Sequence, residues 1–218
     1  MTDSPPDAVG VMPLEPQQVD VAGDILARAF RVDPLQTYLF PNDAENVARS
    51  PAMFATLVRY GLLAGEVLTT AHVPAGIAVW LAPDHVEHEA TLVEAGFEAL
   101  PHIMGSVAHQ RFVDVFAAME PYHRRNVSPR HWYLMILGVD PEAQGRGIGT
   151  ALMEPVLARA DAAGVPCYLE TCQAKNVAFY QRRGFQLLDD EAEPASGLRF
   201  WTFRRDPHSM GRLAQLGV

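Results

Sequence analysis

The hexapeptide Gln144-Gly145-Arg146-Gly147-Ile148-Gly149 constrains the fold of this chain more than any other stretch. It follows a short apolar run, Trp132–Val139, and precedes an amphipathic run, Ile148–Ala163. That order reads as strand, glycine-rich turn, helix. Glycine lets a backbone approach a ligand with no Cβ in the way. Such a turn can aim several N–H groups, and the positive end of a helix dipole, at one phosphate. The chain is therefore expected to hold a phosphorylated ligand.

Composition narrows the field. The chain has 218 residues, 49% hydrophobic and 20% charged, which fits a globular protein with a full core. A net charge of -9 argues against broad nucleic-acid binding. The first eleven residues are acidic and proline-bearing, unlike a signal peptide. No apolar run approaches the roughly 20 residues of a membrane span, so no membrane partner is expected. Cys167 and Cys172 lack the spacing of a zinc or redox motif. They are expected to be reduced, in a cytoplasmic protein. The eight histidines show no His-x-x-x-His pairing, and no metal is expected.

The rest of the chain reads as alternating strands and helices. Residues 9–14 suit an opening strand, and residues 19–31 and 46–64 have helical spacing. Residues 67–73 and Gly76–Leu81 suit an antiparallel hairpin. Residues 85–123 read as mostly helix, divided at Pro101 and Gly105. Beyond the glycine turn come a strand at Cys167–Thr171, a short helix at 177–183 and two closing strands at 185–188 and 198–204. Gly184 suits the residue just past a helix end. Pro155, inside the periodic run, should distort that helix or shift its start. The fold class is mixed α/β, with helices on the faces of one sheet.

Three glycine-loop types compete for the turn. A P-loop ends in Gly-Lys-Ser/Thr, and this turn has no lysine. A dinucleotide fingerprint needs a third glycine where Thr150 stands. The third type is Gln/Arg-x-x-Gly-x-Gly/Ala, matched by Gln144, Gly147 and Gly149. Downstream, Asn176-Val-Ala-Phe-Tyr180 and Arg183-Gly184-Phe185 stand at the expected distance, and Leu137-Gly-Val-Asp-Pro141 precedes the turn. Together these segments resemble the Gcn5-related N-acetyltransferase (GNAT) superfamily. Gly138 to Gly149, Ala163-Gly-Val-Pro166, Leu169-Glu-Thr171 and Asn176 to Phe185 look like its puromycin N-acetyltransferase branch. Ala29-Phe30, Asp33-Pro34 and Ala78-Val-Trp80 are similar to that branch as well.

The resemblance implies a GNAT fold across residues 1–218, a mostly antiparallel sheet with a splay between two adjacent strands. Residues 1–12 are expected to be flexible, and residues 85–125 to form a helical elaboration on the acceptor side. Acetyl-CoA is the implied cosubstrate. Backbone groups of Gly145, Gly147, Ile148 and Gly149, with Arg146, Thr150 and Gln144, would surround its pyrophosphate. Leu137, Val139 and Asn176 would meet the pantetheine arm, with the Val139 N–H polarising the acetyl carbonyl. Asn176 also suits a helix N-cap.

Tyr180 stands at the family's general-acid position, and a protonated phenol can donate to a departing thiolate. Glu170 lies on an apolar strand, where a carboxylate is costly unless paired, and is either the general base or structural. Lys175, Arg182, Arg183 and Arg146 either face the cofactor's 3′-phosphate or form a solvated surface. Asp33, Tyr38, Trp80 and Trp132, with His85 and Glu87, are acceptor-side candidates. Neither cysteine has a basic neighbour that would make it an acetyl carrier. The implied activity is acetyl transfer to a small primary amine in a ternary complex, by a monomer or homodimer. A noncatalytic acyl-CoA sensor and a peptide or protein N-acetyltransferase stay open as alternatives.

Overall fold

The computed structural model describes residues 9–208. Seven strands form one sheet in the order β1-β2-β3-β4-β5-β7-β6. They are β1 (Val11–Pro13), β2 (Gly65–Thr70), β3 (Gly76–Leu81), β4 (Trp132–Val139), β5 (Cys167–Thr171), β6 (Gln186–Ala192) and β7 (Arg199–Arg205). Every neighbouring pair is antiparallel except β4 with β5. The segment expected to be flexible falls partly on residues 1–8, outside the described ones. Within its remainder, Val11 and Met12 pair with Thr70 and Thr69.

Eight helices cover the sheet among the described residues: α1 (Val19–Phe30), α2 (Pro34–Leu39), α3 (Asp43–Ala64), α4 (Glu89–Ala95), α5 (Leu100–Met104), α6 (Ser106–Asn126), α7 (Ile148–Ala163) and α8 (Val177–Gln181). The alternation of strand side chains divides the core in two. Ile77 and Val79 of β3 pack with α1 and α3, while Ala78 and Trp80 pack with α7. On β5, Cys167 and Leu169 join the α7 side. Glu170, next along the strand, is directed to the opposite face, where it meets His123 of α6.

Local chemistry explains where the helices begin. The Asn42 side chain accepts from the Ala44 and Glu45 amides at 2.9 and 3.3 Å, so α3 starts three residues before its apolar spacing does. The Asp33 carboxylate accepts from the Leu35 amide at 2.9 Å, and Pro34 opens α2, a helix the apolar spacing does not show. Pro101 opens α5 rather than ending a helix; the breaks fall at Gly105, as expected, and at Gly96, which is left-handed. Pro155 neither ends α7 nor shifts its start.

Arg205 ties β7 to α7. Its side chain is only 5% exposed, and it donates to both Asp161 oxygens at 2.8 and 2.7 Å. Those hydrogen bonds hold the Asp161 carboxyl well below the usual carboxylate range. Its stabilising effect is therefore present at neutral pH and lost as the pH falls through the acid range. Asp161→Ala would leave a buried guanidinium unpaired and is expected to destabilise the protein by about 3 kcal/mol. Denaturant unfolding at pH 7 measures this, and the gap from wild type should narrow below about pH 4.

Candidate active site

The glycine turn sits where β4 ends. Asp140 closes a 3-10 turn at Pro141–Ala143 by accepting from the Glu142 amide at 3.1 Å, and Arg28 of α1 grips Asp140 at 2.6 Å. Gly145 and Gly147 both have positive φ, 77° and 80°, which L side chains rarely adopt. Among the described residues, the amides from Gly145 to Gly149 donate to no backbone carbonyl in the turn. These free donors crown the N-terminus of the 16-residue α7. They open onto a cavity of about 380 Å³, bordered by Leu137 and Val139 of β4 and by Asn176 and Tyr180.

Beside this cavity the sheet is open. β4 and β5 pair only at Trp132 with Cys167 and at Tyr133 with Tyr168. Beyond that point the strands part. The Asp140 amide donates across to Ala75 on the β3 side at 2.9 Å. Strand alternation then turns the backbone groups of Leu137 and Val139 toward the opening. The Val139 carbonyl is taken by the Gln144 side-chain amide at 3.1 Å.

A narrow passage of about 120 Å³ runs through the opening, bordered by Asp33, Glu170, Cys172, Asn176 and Tyr180. Past Glu170 lies a larger chamber of about 840 Å³ between α3, α4, α6 and β4. Its wall carries the rings of Tyr60, Phe97, Phe112, Phe116 and Tyr133, and the carboxyls of Glu87, Glu120 and Glu170. Burial pushes the Glu170 carboxyl up to about 7, while the facing Tyr133 and Tyr168 hydroxyls pull it down. Burial, with Asp33 nearby, raises the Tyr180 phenol well above its usual range, so it stays protonated. Burial also pushes the Cys172 thiol up to about 12, which leaves no thiolate at neutral pH.

A family model described as "Acetyltransferase (GNAT) family" matches residues 73–185, just over half of the chain. The chain belongs to the GNAT acetyltransferase family. Its sheet, with one parallel junction that splays, has the expected GNAT form. An uncharacterized N-acetyltransferase of Schizosaccharomyces pombe is 27% identical over 179 residues, 79% of this chain and 72% of the relative. Two solved structures share the fold. One, from Corynebacterium glutamicum, is a histone acetyltransferase HPA2 and related acetyltransferase, with a TM-score of 0.66 and 22% identity over 94% of this chain and 99% of that one. The other, a polyamine N-acetyltransferase of Drosophila melanogaster, has a TM-score of 0.54 and 19% identity over 91% of this chain and 100% of that one.

The GNAT turn does not place all its expected residues at the cavity. Thr150 lines it, but its hydroxyl accepts from Arg183. Arg146 instead donates to the Glu142 carbonyl at 3.1 Å. Lys175 and Arg183 border the cavity. Asn176 makes no side-chain cap for α8, and its amide donates to Thr171 at 3.3 Å.

The acceptor-side expectations divide. Asp33 stands where the two smaller cavities meet, and His85 and Glu87 line the chamber. Trp80 and Trp132 are on the α7 face, their rings 6.5 Å apart, away from all three cavities. Tyr38 lies under the Arg111 guanidinium at 5.3 Å and ties α2 to α6. Sequence reasoning missed Tyr133, Glu120, His123 and His131, which α6, β4 and the loop before it bring to Glu170. Strand alternation, which groups Tyr133 with Glu170, could have signalled Tyr133 alone.

Gly147→Asp is expected to abolish acetyl-CoA binding. A built Cβ there meets no protein atom within 4 Å, so the loss would come from the positive φ and the added charge among the free amides. Calorimetric titration with acetyl-CoA measures it, and retained affinity would remove the turn from the binding site.

Proposed function

We propose that the protein transfers an acetyl group from acetyl-CoA to the primary amine of a small, cationic, largely apolar molecule, by direct attack in a ternary complex. One observation carries this reading. The β4–β5 opening joins a cavity edged with free amides to a chamber edged with carboxyls and rings, with Tyr180 and Glu170 both on the passage between them. Acetyl-CoA would supply an acyl group activated toward amines. The amides of Gly145, Gly147, Ile148 and Gly149 suit its pyrophosphate, and the open edge at Leu137 and Val139 suits its amide-bearing arm. The Val139 N–H is the donor for the acetyl carbonyl as it gains negative charge.

Glu170 takes a proton from the incoming ammonium, and Tyr180 gives one to the departing thiolate. With Cys172 held as a thiol, direct attack is favoured over an acetylated enzyme. The chamber's charge supports the acceptor class. Its lining holds three carboxyls and no lysine or arginine, which favours an ammonium and disfavours a carboxylate. A volume of about 840 Å³ suits a ring-bearing small molecule. The likeness to the puromycin N-acetyltransferase branch points the same way.

Thiol release from acetyl-CoA tests this with phenethylamine, agmatine and aspartate as acceptors. Turnover is expected for phenethylamine and none for aspartate. Acetyl-CoA binding with no turnover on any amine would favour the sensor reading. Tyr180→Phe is expected to lower kcat by about a hundredfold while leaving acetyl-CoA affinity nearly unchanged. Unchanged turnover would remove its acid role. With its carboxyl near 7, Glu170 is the competent base above that pH, so kcat/KM should rise through about pH 7. Glu170→Gln should lower the rate and flatten that limb, and a limb that persists would make Glu170 structural.

A further inference from the structure

Acetyl transfer from a thioester to an ammonium releases one net proton. The ammonium loses two protons on becoming an amide, and the departing thiolate regains one. On the reading above, Tyr180 supplies that one and recovers it from the amide nitrogen. The other rests on Glu170, whose side chain is only 8% exposed. An acceptor in the chamber would cover the side of this carboxyl that the chamber exposes.

The structure offers a route along the same chamber wall, where His123 and His131 also stand. His123 Nδ1 of α6 lies 3.5 Å from Glu170 Oε1. His123 Nε2 lies 2.8 Å from His131 Nε2, and His131 Nδ1 lies 2.7 Å from the Ser128 carbonyl. Ser128 is exposed. The His123 ring is held between Tyr168 and Tyr133, with centroids at 4.4 and 4.7 Å.

The hydrogen inventory follows from these contacts. A carbonyl only accepts, so His131 carries its proton on Nδ1 and presents a lone pair at Nε2. His123 must then carry its proton on Nε2 and present a lone pair at Nδ1, toward Glu170. Every donor in the row points outward, from the protonated carboxyl to the surface.

We propose that His123 and His131 relay the proton taken up by Glu170 to solvent at the Ser128 edge, an inference that rests on Glu170 being the base. The Glu170 O–H bond breaks as a bond forms to His123 Nδ1. The His123 Nε2–H bond breaks as one forms to His131 Nε2. His131, now carrying two protons, loses the Nδ1 proton to water, and each ring then gains a proton from water at its bare nitrogen and loses the one on its other nitrogen, which restores the starting tautomers. One proton enters and one leaves. The titratable groups facing the row are Glu120 on α6, Tyr133 on β4, Tyr168 on β5, and Cys172 just beyond β5. Burial, with His131 alongside, lowers the His123 pKa to about 4, so its imidazolium would not accumulate as a trap.

Steady-state kinetics with acetyl-CoA and phenethylamine, and ring-nitrogen NMR of the intact protein, test the relay. His131→Gln keeps a donor and an acceptor but cannot pass a proton. It is expected to lower kcat about ten- to hundredfold with both KM values nearly unchanged. His131→Ala should show the same loss, and added imidazole should restore it. In wild type, NMR should find the proton on Nε2 of His123 and on Nδ1 of His131.

Unchanged kcat, a loss that imidazole does not restore, or the opposite tautomers would overturn the relay. Glu170→Gln separates the two failures. If it is slow while the histidine variants are not, only the relay is wrong. If it keeps the wild-type rate and pH limb, or if no amine turns over, the base reading fails and the relay with it.

Discussion

One unopposed residue in β4 shapes the site. Val79 of β3 faces Ile136, but Trp80 faces Leu134, so Met135 has no partner. A bulge of this kind bends its strand and increases the local twist. β4 stays with β5 through Tyr133 and parts from it where the bulge begins. The parting withholds ladder hydrogen bonds from both strands, and unpaired backbone groups are costly unless water or a ligand meets them. The site is thus an interruption of the sheet, kept open by packing elsewhere.

That packing is tight at the end of β4. A Cβ on Gly138 would come within 2.6 Å of Leu26 and 2.9 Å of Phe30 on α1. A Cβ on Gly76, across the ladder, would come within 2.8 Å of Ile148 and 3.0 Å of Leu152 on α7. The two glycines let α1 and α7 press on the same stretch of sheet from opposite faces. α7 is thereby fixed with its N-terminus beside the opening, and the free amides of the turn are fixed with it. Backbone geometry governs the end of the site that carries the free amides.

This division explains what was legible. The half of the site around the glycine turn is local in sequence, running from Leu137 to Tyr180. Its motif residues carry backbone requirements that a sequence displays openly, such as positive φ at Gly145 and Gly147. The strand–turn–helix order and the mixed sheet could be read the same way. The other half gathers residues from Leu57 to Glu170. There the faces depend on strand parity, and β4 reads Trp-Tyr-Leu-Met-Ile-Leu-Gly-Val, apolar throughout. No polar residue marks where the alternation slips at Met135. The two tryptophans therefore looked available for an acceptor while both pack against α7.

The same parity governs the electrostatics. Tyr168 and Glu170 share the face that Tyr133 occupies on β4, so three polar side chains meet under α6. A carboxyl buried there would ordinarily be a liability. Burial favours the acid and the facing hydroxyls favour the anion, and these opposing pulls hold it near neutrality. A fully paired carboxylate would be too weak a base, and an isolated one would never ionise. Because the histidines lie eight residues apart on a helix and a loop, no spacing motif could have announced them. They meet only because α6 ends beside the base of β4, two residues before that strand begins to part from β5.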